Sequence, residues 1–120
     1  MGDLSTHFSR REFACQCGCG KDDVAPELVF FLEMLRDRLG RALAVTSGVR
    51  CALHNAKVGG GENSAHLRGL AADIACANGV HRHELVSLAL HSGISRIGIA
   101  PMFVHLDLDK SLVQEVMWLY

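Results

Sequence analysis

Residues 64–73 read Ser-Ala-His-Leu-Arg-Gly-Leu-Ala-Ala-Asp and place a histidine seven positions before an aspartate. Gly69 separates His66 from segment 70–75, which has the apolar composition of a β-strand. A glycine turn lets a residue before the strand and a residue within it face the same point. We therefore expect His66 and Asp73 to converge near the beginning of this strand.

Residues 103–108 read Phe-Val-His-Leu-Asp-Leu and alternate as in a second strand. Side chains two positions apart share one face of a strand, so His105 and Asp107 should point the same way. A histidine taken alone is more often a structural or surface residue than a metal ligand. Two imidazoles and one carboxylate, with a fourth position left to water, nevertheless form a catalytic zinc pattern. His66, Asp73 and His105 are therefore the candidate ligands of a Zn²⁺ ion.

The rest of the chain predicts helices early and short strands late. Ser9 and Glu12 form the Ser-x-x-Glu pattern of a capping box, which predicts a short first helix. Pro26 opens a segment with apolar residues at helical spacing, and Gly40 ends it. The predicted class is α+β, with a small, largely antiparallel sheet flanked by helices. Strands are predicted at 42–47, 70–75, 96–99, 103–108 and 116–118, a further helix at 80–90 and a loop at 51–64.

The composition is that of one globular domain spanning residues 1–120, with 49% hydrophobic residues and a net charge of -1. The near-zero charge argues against a nucleic-acid partner, because such proteins concentrate an excess of Lys and Arg. No apolar run has the length that a membrane span needs. Residues 1–7 have neither the basic nor the apolar region of a secretion signal. We expect a monomer.

The chain has five cysteines, an odd number that cannot all pair within one molecule. Residues 15–19 read Cys-Gln-Cys-Gly-Cys, whereas Cys51 and Cys76 stand alone. Three states of the first group are open: a structural zinc site completed by Cys51 and His54, a disulfide to Cys51, or reduced thiols in a tight glycine turn. Cys76 follows an apolar run and is expected to be a small buried hydrophobe.

These motifs resemble the M15 zinc peptidases, which include D-alanyl-D-alanine carboxypeptidases and phage-type L-alanyl-D-glutamate endopeptidases. The resemblance rests on Ser-x-His-x-x-Gly-x-Ala-x-Asp at 64–73 and on Phe-Val-His-Leu-Asp at 103–107. It extends to Thr-Ser-Gly at 46–48, Arg-Cys at 50–51 and Cys-Gly-Cys-Gly at 17–20, as in the short subgroup of that family. It covers nearly the whole chain and implies a fold like that of D-Ala-D-Ala carboxypeptidases and hedgehog domains.

The resemblance also implies roles for individual residues. His66, Asp73 and His105 would bind Zn²⁺, and the bound water would be the nucleophile. Arg50 matches the position that binds a substrate carboxylate or carbonyl; otherwise it is a surface arginine paired with an acid. Ser64 matches a position that hydrogen-bonds substrate; otherwise it is a turn residue.

One position departs from the family pattern. Many members carry Glu or Asp three residues before the last zinc histidine, and Met102 stands there in this chain. Asp107 is the best replacement as general base, and its alternative role is to accept the free N–H of a zinc-bound histidine. Glu62 is a weaker candidate for the base. Loss of turnover with zinc retained is a further hypothesis.

The sequence therefore predicts a zinc peptidase that hydrolyses a peptide bond in bacterial peptidoglycan, with the wall peptide as its partner. The alternatives are a catalytically silent zinc domain that binds wall peptide or a protein partner, and a plain structural zinc protein. Without a secretion signal, such an enzyme would reach the wall through phage lysis, a phage particle or loss of a leader. Segment 52–63 is expected to set the specificity.

Overall fold

The computed structural model describes residues 2–120 and confirms the α+β class. None of the helices in this range combines the length and the apolar character that crossing a membrane requires. The helices are α1 (Arg10–Phe13), α2 (Pro26–Leu39), α3 (Ala52–Lys57) and α4 (Gly79–His91), with a short 3-10 helix at Ala65–Arg68. The strands are β1 (Val45–Ser47), β2 (Ala71–Ala75), β3 (Arg96–Ile99), β4 (Phe103–Asp107) and β5 (Val116–Leu119).

The five strands form one sheet in the order β1-β2-β4-β3-β5. The pairs β1/β2, β2/β4 and β3/β4 are antiparallel, as expected, but β5 pairs parallel to β3. Asp107 at the end of β4 lies opposite Arg96 at the start of β3. Residues 108–115 return the chain to that same end of the sheet, so β5 begins beside Arg96 and must run with β3.

One face of the sheet packs against the helices. Ile74 on β2 and Val104 and Leu106 on β4 are fully buried and belong to the hydrophobic core. Helices α2 and α4 cover this face with leucine and alanine side chains, and α2 ends at Gly40 in the left-handed conformation that the sequence predicts. The opposite face carries Asp73 of β2 and His105 and Asp107 of β4.

Segment 51–64 is not the continuous loop that the sequence predicts. Its first half forms α3, whose N-terminus is capped by Cys51: the His54 N–H donates to the Cys51 sulfur at 3.4 Å. The glycines at 59–61 suggest a loop for the whole segment, but they follow the helix. The first strand is also shorter than predicted, since only Val45–Ser47 pairs with β2.

Candidate active site

A row of residues crosses the face of the sheet opposite the helices. Asp73 on β2 pairs with His105 on β4, His105 with Gly98 on β3, and Gly98 with Trp118 on β5. His66 reaches the same point from the 3-10 helix that precedes β2. One donor atom from each of His66, Asp73 and His105 lies within 4.8 Å of the others. The structure thus brings together the three residues that the sequence singled out, and each is at most 4% exposed.

The imidazole of His66 is held in one tautomer. Its Nδ1 lies 2.7 Å from the carbonyl oxygen of Gly48, which can only accept, so Nδ1 carries the proton. Nε2 is buried and has no hydrogen-bond partner among residues 2–120, although it lies 3.3 Å from Oδ1 of Asp73. A buried nitrogen lone pair beside a carboxylate oxygen is satisfied by a cation. The residues at this position therefore fit a metal ion.

Gly48 reaches His66 because it packs tightly against α1. A Cβ on Gly48 would lie 2.7 Å from the Cα of Phe13. The neighbouring Val49 N–H donates to the Phe13 carbonyl at 2.8 Å. A larger residue would push this segment away from α1 and would move the carbonyl that orients His66.

His105 lies between two carboxylates. Its Nδ1 is 2.9 Å from Oδ1 of Asp73, and its Nε2 is 2.7 Å from Oδ2 of Asp107. Burial lowers the pKa of His105, but the hydrogen bonds with Asp107 and Asp73 outweigh it and raise the pKa above its usual value. Burial likewise raises the pKa of Asp73, and the contacts with His105 and His66 outweigh it and lower the pKa to about 2. The carboxylates of Asp73 and Asp107 therefore favour a positive charge at this centre.

Both oxygens of Asp107 are engaged. Oδ2 accepts from Nε2 of His105, while Oδ1 accepts from Nε of Arg96 at 2.8 Å and from the Asp109 N–H at 3.2 Å. The side chain is almost completely buried. Arg96 in turn donates to the carbonyl of Val113 at 2.6 Å. This arrangement fixes the orientation of the His105 ring.

Arg50 reaches the centre from the end of the segment that follows β1. Its Nε donates to Ser47 Oγ at 3.1 Å and its Nη1 to Asn55 Oδ1 at 3.2 Å. Its Nη2 lies 3.4 Å from Oδ2 of Asp73. Ser64 caps the 3-10 helix, and its Oγ accepts the His66 N–H at 3.2 Å. Arg50 therefore faces the centre, and Ser64 makes the hydrogen bond of a turn residue, the alternative to substrate binding.

The centre opens into a cavity of about 640 Å³, which Arg50 and Ser64 both line together with glycines 59–61. Within the described part of the chain, the carboxylates lining this cavity belong to Asp73 and Asp107. Met102 is 64% exposed and Glu62 is also exposed, and neither is among the cavity-lining residues that the structure describes. The position of the family acid is thus at the surface here.

Phe103, Trp118 and Tyr120 form an aromatic wall of the cavity that the motifs do not predict. The Trp118 ring lies 5.2 Å from that of His105, and Phe103 lies 5.0 Å from Tyr120, measured between centroids. A Cβ on Gly98 would lie 2.6 Å from Trp118 Nε1, so the glycine makes room for the wall. Alternation from β5 into the residue that follows it signals that Trp118 and Tyr120 share a face, but the sequence does not show which strand pairs with β5.

Comparison with known proteins gives one informative result. A search of curated proteins found no match. The family model of Peptidase M15 matches residues 6–107, a range that includes Arg50, the His66/Asp73/His105 centre and Asp107, and ends before β5. This agrees with the resemblance drawn from the motifs. The chain belongs to the Peptidase M15 family.

Proposed function

We propose that the chain is a zinc-dependent peptidase that hydrolyses a peptide bond in bacterial peptidoglycan, as a D-Ala-D-Ala carboxypeptidase or a murein endopeptidase. The observation that carries this proposal is the buried His66/Asp73/His105 centre, whose His66 Nε2 has no hydrogen-bond partner among residues 2–120. It opens into a cavity large enough for a short peptide. Residues 1–120 would act as one peptidase domain.

The chemistry of the donors favours zinc over other cations. Nε2 of His66, Nδ1 of His105 and the carboxylate of Asp73 would hold the ion, a donor set found in catalytic zinc sites that keep one position open. When bound, zinc polarises a carbonyl and lowers the pKa of a coordinated water to about 7. Calcium and magnesium prefer oxygen donors and suit two imidazoles poorly.

The contacts of Asp107 favour a positioning role. It would accept the Nε2 proton of His105 and so keep the Nδ1 lone pair directed at the ion. A general base needs an oxygen free to receive a proton, and both oxygens of Asp107 already accept hydrogen bonds. Of the two roles considered for Asp107, orientation of His105 is the one that we propose.

The charge of the cavity favours an anionic peptide. Arg50 and Arg96 offset Asp73 and Asp107, so a divalent ion would leave the lining positive. The planar fork of Arg50 suits a carboxylate better than a lysine would. Stem peptides of peptidoglycan carry free carboxylates, and we propose that Arg50 binds one of these or the carbonyl of the scissile bond. Ser64 would donate its hydroxyl proton to the same peptide.

A catalytically silent zinc domain that binds wall peptide is the second candidate. It is favoured by Met102 at the acid position and by the hydrogen bonds that occupy both oxygens of Asp107. Such a domain would bind muropeptide through the same cavity and release no product.

Digestion of murein separates the two candidates. Zinc-loaded protein is incubated with purified sacculi and with a panel of muropeptides, and the products are mapped by mass spectrometry. We expect new fragments from the wild type and from His83→Ala, which removes an exposed histidine of α4, and none from His66→Ala. Release of terminal D-alanine would identify a carboxypeptidase, and cleavage within the stem an endopeptidase. Tight muropeptide binding by an inert wild type would refute the peptidase and support the silent domain.

A further inference from the structure

A second group of metal-type ligands lies where segment 15–19 meets the N-terminus of α3. The sulfurs of Cys15, Cys17, Cys19 and Cys51 all lie within 4.8 Å of one another. Cys17 Sγ is 3.5 Å from Cys15 Sγ and 3.6 Å from Cys51 Sγ. All five cysteines of the described range are free thiols, and the fifth, Cys76, is buried in the core.

The distances match a metal site better than a disulfide. A disulfide joins its sulfurs at about 2.05 Å. Four thiolates around a tetrahedral zinc, each with a Zn–S bond of about 2.3 Å, are separated by about 3.8 Å along the edges of the tetrahedron. The two shortest separations, 3.5 Å and 3.6 Å, are close to that edge. Four sulfurs are also the full complement of a closed structural zinc site.

Packing does not explain why the four thiols gather. Cys15 is buried, but Cys17 and Cys19 are exposed and so gain little from burial. In an extended segment, sulfurs two positions apart would spread along one face. Here Gly18 and Gly20 adopt φ of 82° and 90°, and the turn brings the three sulfurs back around one point.

Backbone amides already point at two of the sulfurs. The Cys51 N–H donates to Cys15 Sγ at 3.4 Å, and the His54 N–H donates to Cys51 Sγ at 3.4 Å. Such hydrogen bonds stabilise the thiolate form that binds zinc. His54 therefore contributes its backbone N–H and is not among the grouped ligands, in contrast to the zinc site with Cys51 and His54 that the sequence left open.

We propose that Cys15, Cys17, Cys19 and Cys51 bind a second Zn²⁺ ion, which is structural and has no open coordination position. The ion connects segment 15–19 to Cys51, which follows Arg50 and caps the N-terminus of α3. Asn55 of α3 accepts from Arg50 Nη1 at 3.2 Å. The second site thus stabilises the segment that presents Arg50 to the cavity, and it uses four of the five cysteines.

Metal content tests this proposal without reference to activity. The full chain is purified under reducing conditions with zinc, and zinc per chain is measured by mass spectrometry. We expect two ions for the wild type and one for Cys17→Ser/Cys19→Ser. These two side chains are exposed, so their replacement removes no core packing. The control Cys76→Ser, which changes a cysteine outside the group, should keep two ions, and His66→Ala should keep one.

The absorption spectrum of bound Co²⁺ shows whether the metal in each variant has sulfur ligands. Reconstitution with Co²⁺ should give intense sulfur-to-cobalt charge-transfer bands in the wild type and in His66→Ala, and these bands should be lost in Cys17→Ser/Cys19→Ser. A wild type with a single zinc that His66→Ala removes would overturn the proposal. Equal metal content in the wild type and the double cysteine variant would do the same. Purification with iron in the sulfur site, or with the cluster oxidised to disulfides, would also overturn it.

Discussion

The two groups of candidate ligands are built in opposite ways. The first group, His66, Asp73 and His105, is buried, and Asp73 and His105 lie on paired strands. Gly48 orients the ring of His66, and Asp107 orients the ring of His105. The four cysteines come from two connecting segments, and half of them are exposed. A site built on a sheet keeps its geometry through packing and can leave one coordination position open. A site built on loops has little packing of its own, so its ion must hold the segments together.

The largest effect should come from removing metal. We expect chelation to destabilise the wild type by about 3 kcal/mol or more, the contribution of a ligand present at more than 100 times its Kd. His66→Ala should lose most of the same stability on chelation, because most of that stability comes from the ion at the cysteine site. Cys17→Ser/Cys19→Ser should begin at a lower stability and keep only the smaller part of the chelator response, which comes from the ion at the His66 centre. Calorimetric melting with and without chelator measures this, and a full chelator response in the cysteine variant would contradict the division of roles.

The next effect tests the preorganisation of the sheet centre. Asp107→Asn replaces one acceptor oxygen with an NH2 group, which can only donate. Whichever way the amide is turned, this group faces the N–H of His105 or of Arg96, and one hydrogen bond is lost. We expect a 10- to 100-fold loss of zinc affinity at this centre, with a matching loss of hydrolysis at limiting zinc. Competition with a chelator measures the affinity.

Asp37→Asn provides the control for Asp107→Asn, since it makes the same change at an exposed position of α2. Unchanged zinc affinity with a lower kcat would show that Asp107 acts as a general base instead.

Arg50 lies between the two groups, next to Cys51 in the chain and 3.4 Å from Asp73 in space. Arg50→Lys keeps the charge but loses the planar fork. We expect kcat/KM for muropeptide hydrolysis to fall about tenfold, as for one lost charged hydrogen bond. The zinc content should stay at the wild-type value.

The exposed Arg38→Lys on α2 is the matched control and should change neither quantity. A loss of zinc from Arg50→Lys would indicate that Arg50 supports a metal site and not the substrate.

The smallest effect should come from the aromatic wall. Gly98→Ala would bring a Cβ within 2.6 Å of Trp118 Nε1 and within 2.7 Å of Tyr120 Cε2. Both neighbours are side-chain atoms that can shift, so we expect a destabilisation of about 1 kcal/mol. Urea unfolding and tryptophan fluorescence would show it, together with weaker muropeptide binding. Because the wall belongs to the sheet, the spectrum of cobalt bound by the cysteines should not change. A changed spectrum would show that the wall and the cysteine site are coupled.

Much of the fold follows from local pattern. The helix Pro26–Leu39 was predicted with its proline start and its Gly40 end, and the Glu12 carboxylate accepts from the Ser9 N–H at 2.6 Å as a capping box requires. Strands β2, β3 and β4 lie where alternation placed them, to within a residue. These features were predictable because spacing, capping and turns depend on near neighbours in the chain. The family was also recognisable, because the motifs at 64–73 and 103–107 are each continuous in the sequence.

The sequence by itself determined the fold class, the α2 boundaries and the candidate ligands His66, Asp73 and His105. Only the tertiary structure decided that β5 runs parallel to β3, that Trp118 lines the cavity, and that both oxygens of Asp107 are occupied. It also brought Cys51 to the cysteines of segment 15–19. The physical reason is that these relations join residues distant in the chain. Strand pairing and packing in three dimensions bring them together, and no local pattern encodes that pairing.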